Sequence, residues 1–168
     1  GISPEGKRIV ILGAGGASRA ISFILADKGA SLVILNRKLE LDQAVELAAS
    51  ISRTFGEEIK ALELNEPNLE QALGNSDILV NTTSVGMSPN VDKTIVPSGL
   101  LKADLIVFDI VYNPLKTKLI KDAEAIGCKT ISGVNMLVHQ GAQSLRIWLG
   151  IEPPIEAMKD EVLKNLKS

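Results

Sequence analysis

A glycine-rich turn near the start of the sequence has the spacing of a phosphate-binding loop. The run GAGGAS at residues 13–18 follows an apolar segment and opens one with helical periodicity. Glycine at 13 permits a tight turn, and glycine at 15 lets the main chain approach a pyrophosphate at a helix N-terminus. Ser18 replaces the usual third glycine, and its hydroxyl is expected to cap the helix. The pattern predicts a dinucleotide site; a simple strand-to-helix turn is the alternative.

The end of the second apolar run bears on which dinucleotide binds. NAD-binding folds usually place Asp or Glu there for the ribose 2′-hydroxyl, whereas a 2′-phosphate needs a cation. This sequence has neutral Asn36 followed by Arg37 and Lys38. Arginine pairs well with phosphate, so NADP is favoured over NAD. A solvated strand end is the alternative for the two cations, and the nearby acid Glu40 keeps NAD binding open.

A third candidate segment, TTSVGM at residues 82–87, follows another apolar run. Small hydroxyl residues and glycine at the carboxyl end of a strand offer hydrogen bonds to a ligand lying beyond the sheet edge. An ordinary Ser/Thr turn explains the same residues equally well.

These segments need a scaffold, and strand-like runs alternate with helical patterns along the whole chain. The predicted strands are 8–12, 31–35, 59–64, 77–81, 105–109 and 129–131. The predicted helices are 18–28, 40–55, 68–73, 117–126, 133–150 and a last one from Pro153 to about residue 166. Continuous β-branched runs indicate a parallel sheet covered on both faces. The expectation is one α/β domain, a doubly wound parallel sheet of the Rossmann type with C-terminal helices.

The composition of the 168 residues suits that fold, with 45% hydrophobic and 23% charged residues and a net charge of −2. No broad basic surface for nucleic acid is expected, and the apolar runs are too short to span a membrane. No secretory leader is recognisable. One cysteine and one histidine make neither an internal disulfide nor a metal cluster, which suits a reducing cytoplasm.

Five motifs together resemble a known family. ILGAGGASRA, the NR after the second strand, ILVNTTSVGM, FDIVYNPLKTKLI and GVNMLVHQGAQSLRIWLG occur in the same order in shikimate dehydrogenases. The chain resembles the nucleotide-binding C-terminal domain of that family over nearly its whole length. The runs VYNPLKTKL and GCKTI look particularly like the branch that includes quinate/shikimate dehydrogenases.

The resemblance implies roles for individual positions. Substrate-binding residues would be Tyr112 and Gln140. Cofactor-binding residues would be Gly13, Ala14, Gly15, Gly16 and Ala17 at the pyrophosphate, Asn36, Arg37 and Lys38 at the adenosine end, Thr83 and Ser84 in the middle, and Ile110, Gly133 and Met136 at the nicotinamide. Two positions depart from the family pattern, because Lys38 stands where Thr is common and Leu41 where a basic residue often follows.

The resemblance also implies a missing part. The family's Lys–Asp pair, which handles the proton at the reacting hydroxyl, lies in an N-terminal catalytic domain, and only seven residues precede Arg8 here. Hydride chemistry on an alcohol needs such a group. His139 is more typical of a packed or solvated histidine, and Cys128 has no nearby cation to activate it. No catalytic residue is therefore expected in this chain.

The expected activity, as part of a whole enzyme, is reversible reduction of 3-dehydroshikimate to shikimate by NADPH in aromatic amino-acid synthesis. The expected partners are this small-molecule substrate and the family's N-terminal domain, and a second copy in a homodimer is left open. A quinate/shikimate dehydrogenase using NAD or NADP, and a non-catalytic dinucleotide-sensing module, are the alternative functions.

Overall fold

The computed structural model describes residues 1–166 and has six β-strands and six α-helices in that range. The strands are β1 (Arg8–Leu12), β2 (Ser31–Asn36), β3 (Lys60–Glu63), β4 (Ile78–Asn81), β5 (Ile106–Asp109) and β6 (Lys129–Ser132). The helices are α1 (Gly16–Asp27), α2 (Leu41–Phe55), α3 (Glu66–Gly74), α4 (Lys118–Ile126), α5 (Gly133–Leu149) and α6 (Ile155–Leu166). Short 3₁₀ turns occupy Lys38–Glu40 and Ser98–Leu100.

All six strands are parallel, in the order β3-β2-β1-β4-β5-β6. The strand order reverses between β1 and β4, and ligands of doubly wound folds bind in the crevice at such a switch point. In the register of the sheet, Asn81 lies beside Leu12 on one side and beside Asp109 on the other. The carboxyl ends of these three strands therefore form one continuous edge. The predicted doubly wound α/β fold is confirmed.

Alternation along the buried strands divides the core between the two faces of the sheet. In β1, Val10 and Leu12 pack in the cluster that contains residues of α3 and α4, whereas Ile9 and Ile11 pack in the cluster that contains residues of α2. Because successive side chains of a strand point to opposite faces, a continuous apolar run is required when both faces are covered. This explains why the strands lack an apolar–polar alternation.

The prediction that Ser18 caps α1 is wrong. The helix begins at Gly16, with Gly15 as its N-cap and no side-chain capping bond. Ser18 lies inside the first turn and is fully buried, so its hydroxyl needs a partner. It donates to the carbonyl oxygen of Gly13 at 2.7 Å. Ser18 thus ties the glycine turn to the helix instead of ending the helix.

The two C-terminal helices, α5 and α6, pack against each other. Three large apolar side chains near the end of α5 are exposed: Ile147, Trp148 and Leu149. Within residues 1–166, no helix combines the length and the hydropathy needed to cross a bilayer.

Candidate functional site

A cavity of about 410 Å³ lies at the carboxyl ends of β1, β2 and β4. It brings together seven residues that the sequence predicted from three separate segments: Gly13, Ala14, Gly15, Asn36, Arg37, Thr83 and Ser84. Its other lining residues are Glu40, Leu64, Thr82, Val85 and Ile95. The predicted residues Gly16, Ala17 and Lys38 lie next to these segments in the chain but outside the lining.

Two glycines of the turn, Gly13 and Gly15, differ in how strongly the fold requires a residue without a side chain. Gly13 has φ of +100°, and a Cβ there would lie 3.0 Å from the Thr82 Oγ1. Both facts make a larger residue at 13 strained. Gly15 has φ of −76°, which any residue can adopt, and a Cβ there would meet no heavy atom within 4 Å. The fold therefore does not require glycine at 15, and the space in front of it is open.

The end of β2 carries a charged pair in the same cavity. The guanidinium of Arg37 donates from Nη2 to the Glu40 Oε1, and hydrogen bonding to Arg37 lowers the pKa of the Glu40 carboxyl from its ordinary value. Buried Asn36 donates from Nδ2 to the main-chain oxygen of Glu40 at 2.7 Å. The turn that carries Glu40 is thus attached to the strand end, while Arg37 keeps 69% of its side chain exposed.

A buried polar network joins the ends of β4 and β5. Asn81 donates from Nδ2 to the Asp109 Oδ1 at 3.0 Å. The Oδ1 of Asn81 accepts from the main-chain N–H of Thr83 at 3.1 Å and from its hydroxyl at 2.8 Å. Asp109 also accepts from the N–H of Val111 at 3.1 Å and from the hydroxyl of Thr117 at 2.6 Å. The loop holding Thr83 is therefore linked through Asn81 to the same carboxylate that binds the loop following β5.

Asp109 is fully buried, and burial raises the pKa of its carboxyl, against the opposing effect of hydrogen bonds from Thr117, Val111 and Asn81. Thr117 in turn caps α4, accepting from the N–H of Ile120 at 3.3 Å. Sequence reasoning missed this network. The available signal was the single polar residue that ends each of two apolar runs, ILVN and IVFD.

The residues expected near the nicotinamide are only partly brought together. A Cβ on Gly133 would lie 2.0 Å from the carbonyl oxygen of Ile110, so the start of α5 packs directly on the end of β5. Met136 lies one turn further along α5 and is half-buried. None of the three lines the 410 Å³ cavity.

Tyr112 and Gln140 both have exposed side chains. Tyr112 follows β5, and Gln140 lies two turns into α5; neither lines the 410 Å³ cavity. Their convergence on a substrate stays a prediction.

The surroundings of the two other potentially reactive side chains, His139 and Cys128, do not activate them. His139 is exposed on α5. Cys128 is buried, its Sγ donates to the carbonyl oxygen of Lys102 at 3.0 Å, and burial raises the pKa of its thiol. A raised pKa disfavours the reactive thiolate, which agrees with the expectation that this cysteine is not activated.

A second cavity of about 340 Å³ lies at the opposite edge of the sheet, near the amino ends of β1, β2 and β3. Ligands of doubly wound folds bind at the carboxyl edge. The first cavity is therefore the candidate site.

Comparison with known protein families supports the resemblance noted from the sequence motifs. A family model described as "Shikimate / quinate 5-dehydrogenase" matches residues 3–124. A second model, "Shikimate 5'-dehydrogenase C-terminal domain", matches residues 133–163.

Individual relatives agree with these models. A shikimate dehydrogenase (NADP(+)) of Methanosarcina mazei is 48% identical over 100% of this chain and 59% of its own length. A shikimate dehydrogenase solved in complex with NADP+ is 41% identical with a TM-score of 0.88, over 98% of this chain and 56% of that one. Quinate dehydrogenase from Corynebacterium glutamicum, solved with NAD, is 31% identical with a TM-score of 0.85, over 94% and 55%.

The chain thus spans less than two thirds of each of these three proteins. Over that span the first family model alone accounts for more than half of the sequence, and the motifs that it covers form the cavity described above. The chain belongs to the shikimate/quinate 5-dehydrogenase family.

Proposed function

We propose that this chain is the NADP-binding domain of a shikimate dehydrogenase, which interconverts 3-dehydroshikimate and shikimate. One observation carries the proposal: the open face of Gly15, at the start of α1, and the guanidinium of Arg37 line the same cavity. A helix N-terminus favours a pyrophosphate, and a guanidinium at the end of β2 favours a 2′-phosphate.

The residues of the cavity fit this cofactor, which would supply or accept the hydride. The N–H groups of Gly15, Gly16 and Ala17 would hold the pyrophosphate, since the first N–H groups of a helix lack partners within it. Asn36, Arg37 and Lys38 would meet the adenosine end, and Thr83 and Ser84 the middle of the molecule. Ile110, Gly133 and Met136 would border the nicotinamide.

We propose that the substrate meets Tyr112 and Gln140, because an amide can donate to a carboxylate and accept from a hydroxyl. The proton at the reacting oxygen would be handled by the Lys–Asp pair of the family's N-terminal domain. Exposed His139 and buried Cys128 have no partner geometry that suits this work within the described chain.

Apolar surface supports a partner domain. A groove of about 190 Å³ is lined only by apolar side chains and a proline, among them Ile2, Ile106 and Phe108. Trp148 is 75% exposed near the end of α5. Large exposed apolar patches mark interaction sites. We propose that the N-terminal catalytic domain covers the groove and Trp148, with a second copy of the chain as the competing occupant.

We also propose that the protein works in the cytoplasm, where its lone cysteine stays reduced.

Quinate oxidation with NAD is the second candidate. It is favoured by the carboxylate of Glu40 inside the cavity, since acids near the ribose support NAD. The NAD-bound quinate dehydrogenase shares the fold at 31% identity. The groups that recognise the ring would lie mostly outside this chain.

Calorimetric titration of the 168-residue chain with NADPH and NADH tests the cofactor. We expect tighter binding of NADPH, and we expect Arg37→Ala to remove most of the difference, because the charge-assisted contact with the 2′-phosphate is lost. Arg53→Ala, which removes an exposed guanidinium from the last turn of α2, is the matched control. Equal affinities in the unaltered chain would refute the NADP assignment.

The same preparation tests the location of catalysis. We expect cofactor binding without oxidation of shikimate, followed by absorbance of the reduced cofactor, because proton handling and positioning are incomplete. Turnover that a change at His139 or Tyr112 abolishes would show that this chain holds its own catalytic group. In an enzyme completed by the N-terminal domain, Gln140→Ala should raise the KM for shikimate, and an unchanged KM would remove Gln140 from the substrate site.

A further inference from the structure

Glu40 is the second charged residue in the lining of the cavity, beside Arg37. Its carboxylate accepts from the Arg37 guanidinium, and its main-chain oxygen accepts from buried Asn36 at 2.7 Å. Only 33% of the Glu40 side chain is exposed. The acid is therefore held at the site where the adenosine end of a dinucleotide would lie, and it is not a freely moving surface group.

The two charges of the lining cancel. Among the lining residues, which all belong to the described part of the chain, one side chain is cationic and one is anionic. A 2′-phosphate entering this space gains Arg37, but it meets the carboxylate and competes with it for the guanidinium. Like charges at a few ångströms repel even near solvent. The ribose 2′-hydroxyl of NAD, in contrast, can donate a hydrogen bond to a carboxylate.

We infer that Glu40 is a specificity-determining residue that narrows the preference for NADP over NAD. This inference rests on the dinucleotide site proposed above. Glu40 weakens the binding of the 2′-phosphate by occupying Arg37 and by its own charge, and it supports NAD through the 2′-hydroxyl. Arg37 therefore raises the ratio of NADP affinity to NAD affinity, and Glu40 lowers it.

Glu40→Gln isolates the charge. Glutamine keeps the size of the side chain, an oxygen that can accept from Arg37, and the main-chain oxygen bound by Asn36. Calorimetric titrations with NADP+ and NAD+ should show NADP+ binding about three- to fivefold tighter, the range for one screened charge near the surface. NAD+ binding should stay equal or weaken. The gain for NADP+ should shrink as added salt shortens the screening length.

Glu46→Gln is the matched control, because it removes the same charge from an exposed position of α2, away from the cavity lining. Adenosine 2′,5′-bisphosphate and 5′-AMP are second probes, since they differ only in the 2′-phosphate. The gain in affinity from Glu40→Gln should appear with the bisphosphate, whereas the affinity for 5′-AMP, which keeps the 2′-hydroxyl, should stay equal or weaken as it does for NAD+.

An affinity ratio unchanged by Glu40→Gln, or shifted equally by Glu46→Gln, would overturn the inference while leaving the dinucleotide site in place. Weaker NADP+ binding in Glu40→Gln would also overturn it, since Glu40 would then assist Arg37. An unaltered chain that binds neither dinucleotide would overturn the proposed function, and this inference with it.

Discussion

The two halves of the carboxyl edge of the sheet are built differently. At the ends of β1 and β2, the site consists of an open glycine and an ion pair whose arginine is mostly exposed. At the ends of β4 and β5, the polar side chains of Asn81, Asp109 and Thr117 are buried and bonded to one another. The first half leaves main-chain and side-chain groups accessible to a ligand, whereas the polar side chains of the second half are hydrogen-bonded to one another inside the protein.

This difference separates binding from architecture. An exposed ion pair contributes little to stability, so changes at Arg37 or Glu40 should alter affinity alone. A buried network is costly to leave unsatisfied, so changes at Asp109 should destabilise the fold. Because Asn81 also binds Thr83, the buried half fixes the position of a loop that lines the cavity.

The largest effect is expected for Asp109→Ala. It leaves three donors without their acceptor, on Asn81, Val111 and Thr117. Urea unfolding should show a loss of about 3 kcal/mol. Asp104→Ala, at an exposed position, should change stability by less than about 0.5 kcal/mol. Equal effects of the two substitutions would break the contrast between the two halves.

Gly133→Ala should cost about 2 kcal/mol of unfolding free energy. The added Cβ would lie 2.0 Å from the carbonyl oxygen of Ile110, so α5 must move away from β5. Gly141→Ala on the same helix meets only the end of Met158 at 3.3 Å and should be neutral or stabilising, because alanine favours a helix. A Gly133→Ala protein as stable as the unaltered chain would contradict this close packing.

Gly15→Ala should reduce NADPH affinity about tenfold, the effect of losing roughly 1.4 kcal/mol of binding, at a stability cost below about 1 kcal/mol. The open space in front of Gly15 accommodates the methyl group in the unliganded chain. The same methyl group would occupy space that the bound pyrophosphate requires. Gly13→Ala is the comparison, and it should reduce both affinity and stability, because of its positive φ and its contact with Thr82. The contrast fails if Gly15→Ala unfolds the chain as readily as Gly13→Ala.

The smallest effect is a pH trend in the buried half. Burial raises the pKa of Asp109, so its folded pKa lies above its unfolded one. The stability associated with the protonated form is complete below the unfolded pKa, about 3.9, and is lost as pH rises through the folded pKa. Asp109→Asn removes this loss. Its unfolding free energy should therefore rise relative to that of the unaltered chain over this window in urea titrations, and a relative fall would reverse the sign assigned to Asp109.

Much of the fold could be predicted from local patterns. The apolar runs and helical periodicities located six strands and six helices to within about two residues of the observed bounds. The order of β and α segments indicated a parallel sheet, and that order together with the family motifs placed Gly13, Arg37 and Thr83 near one edge. These inferences succeeded because period, turn chemistry and helix ends depend on neighbours in the chain.

Contacts between distant residues had to come from the tertiary structure. The Asn81–Asp109 bond spans 28 positions, and the requirement for glycine at 133 comes from Ile110 across the sheet edge. The role of Ser18 was misjudged for a local reason: α1 starts at Gly16, so Ser18 lies inside the helix and donates to Gly13 instead of capping it. Local sequence patterns specify which elements form and where their polar ends lie. Tertiary packing sets which polar groups are buried and hydrogen-bonded within the protein and which stay accessible to a ligand. Burial and hydrogen-bond geometry depend on the strands lying side by side, so local patterns do not specify them.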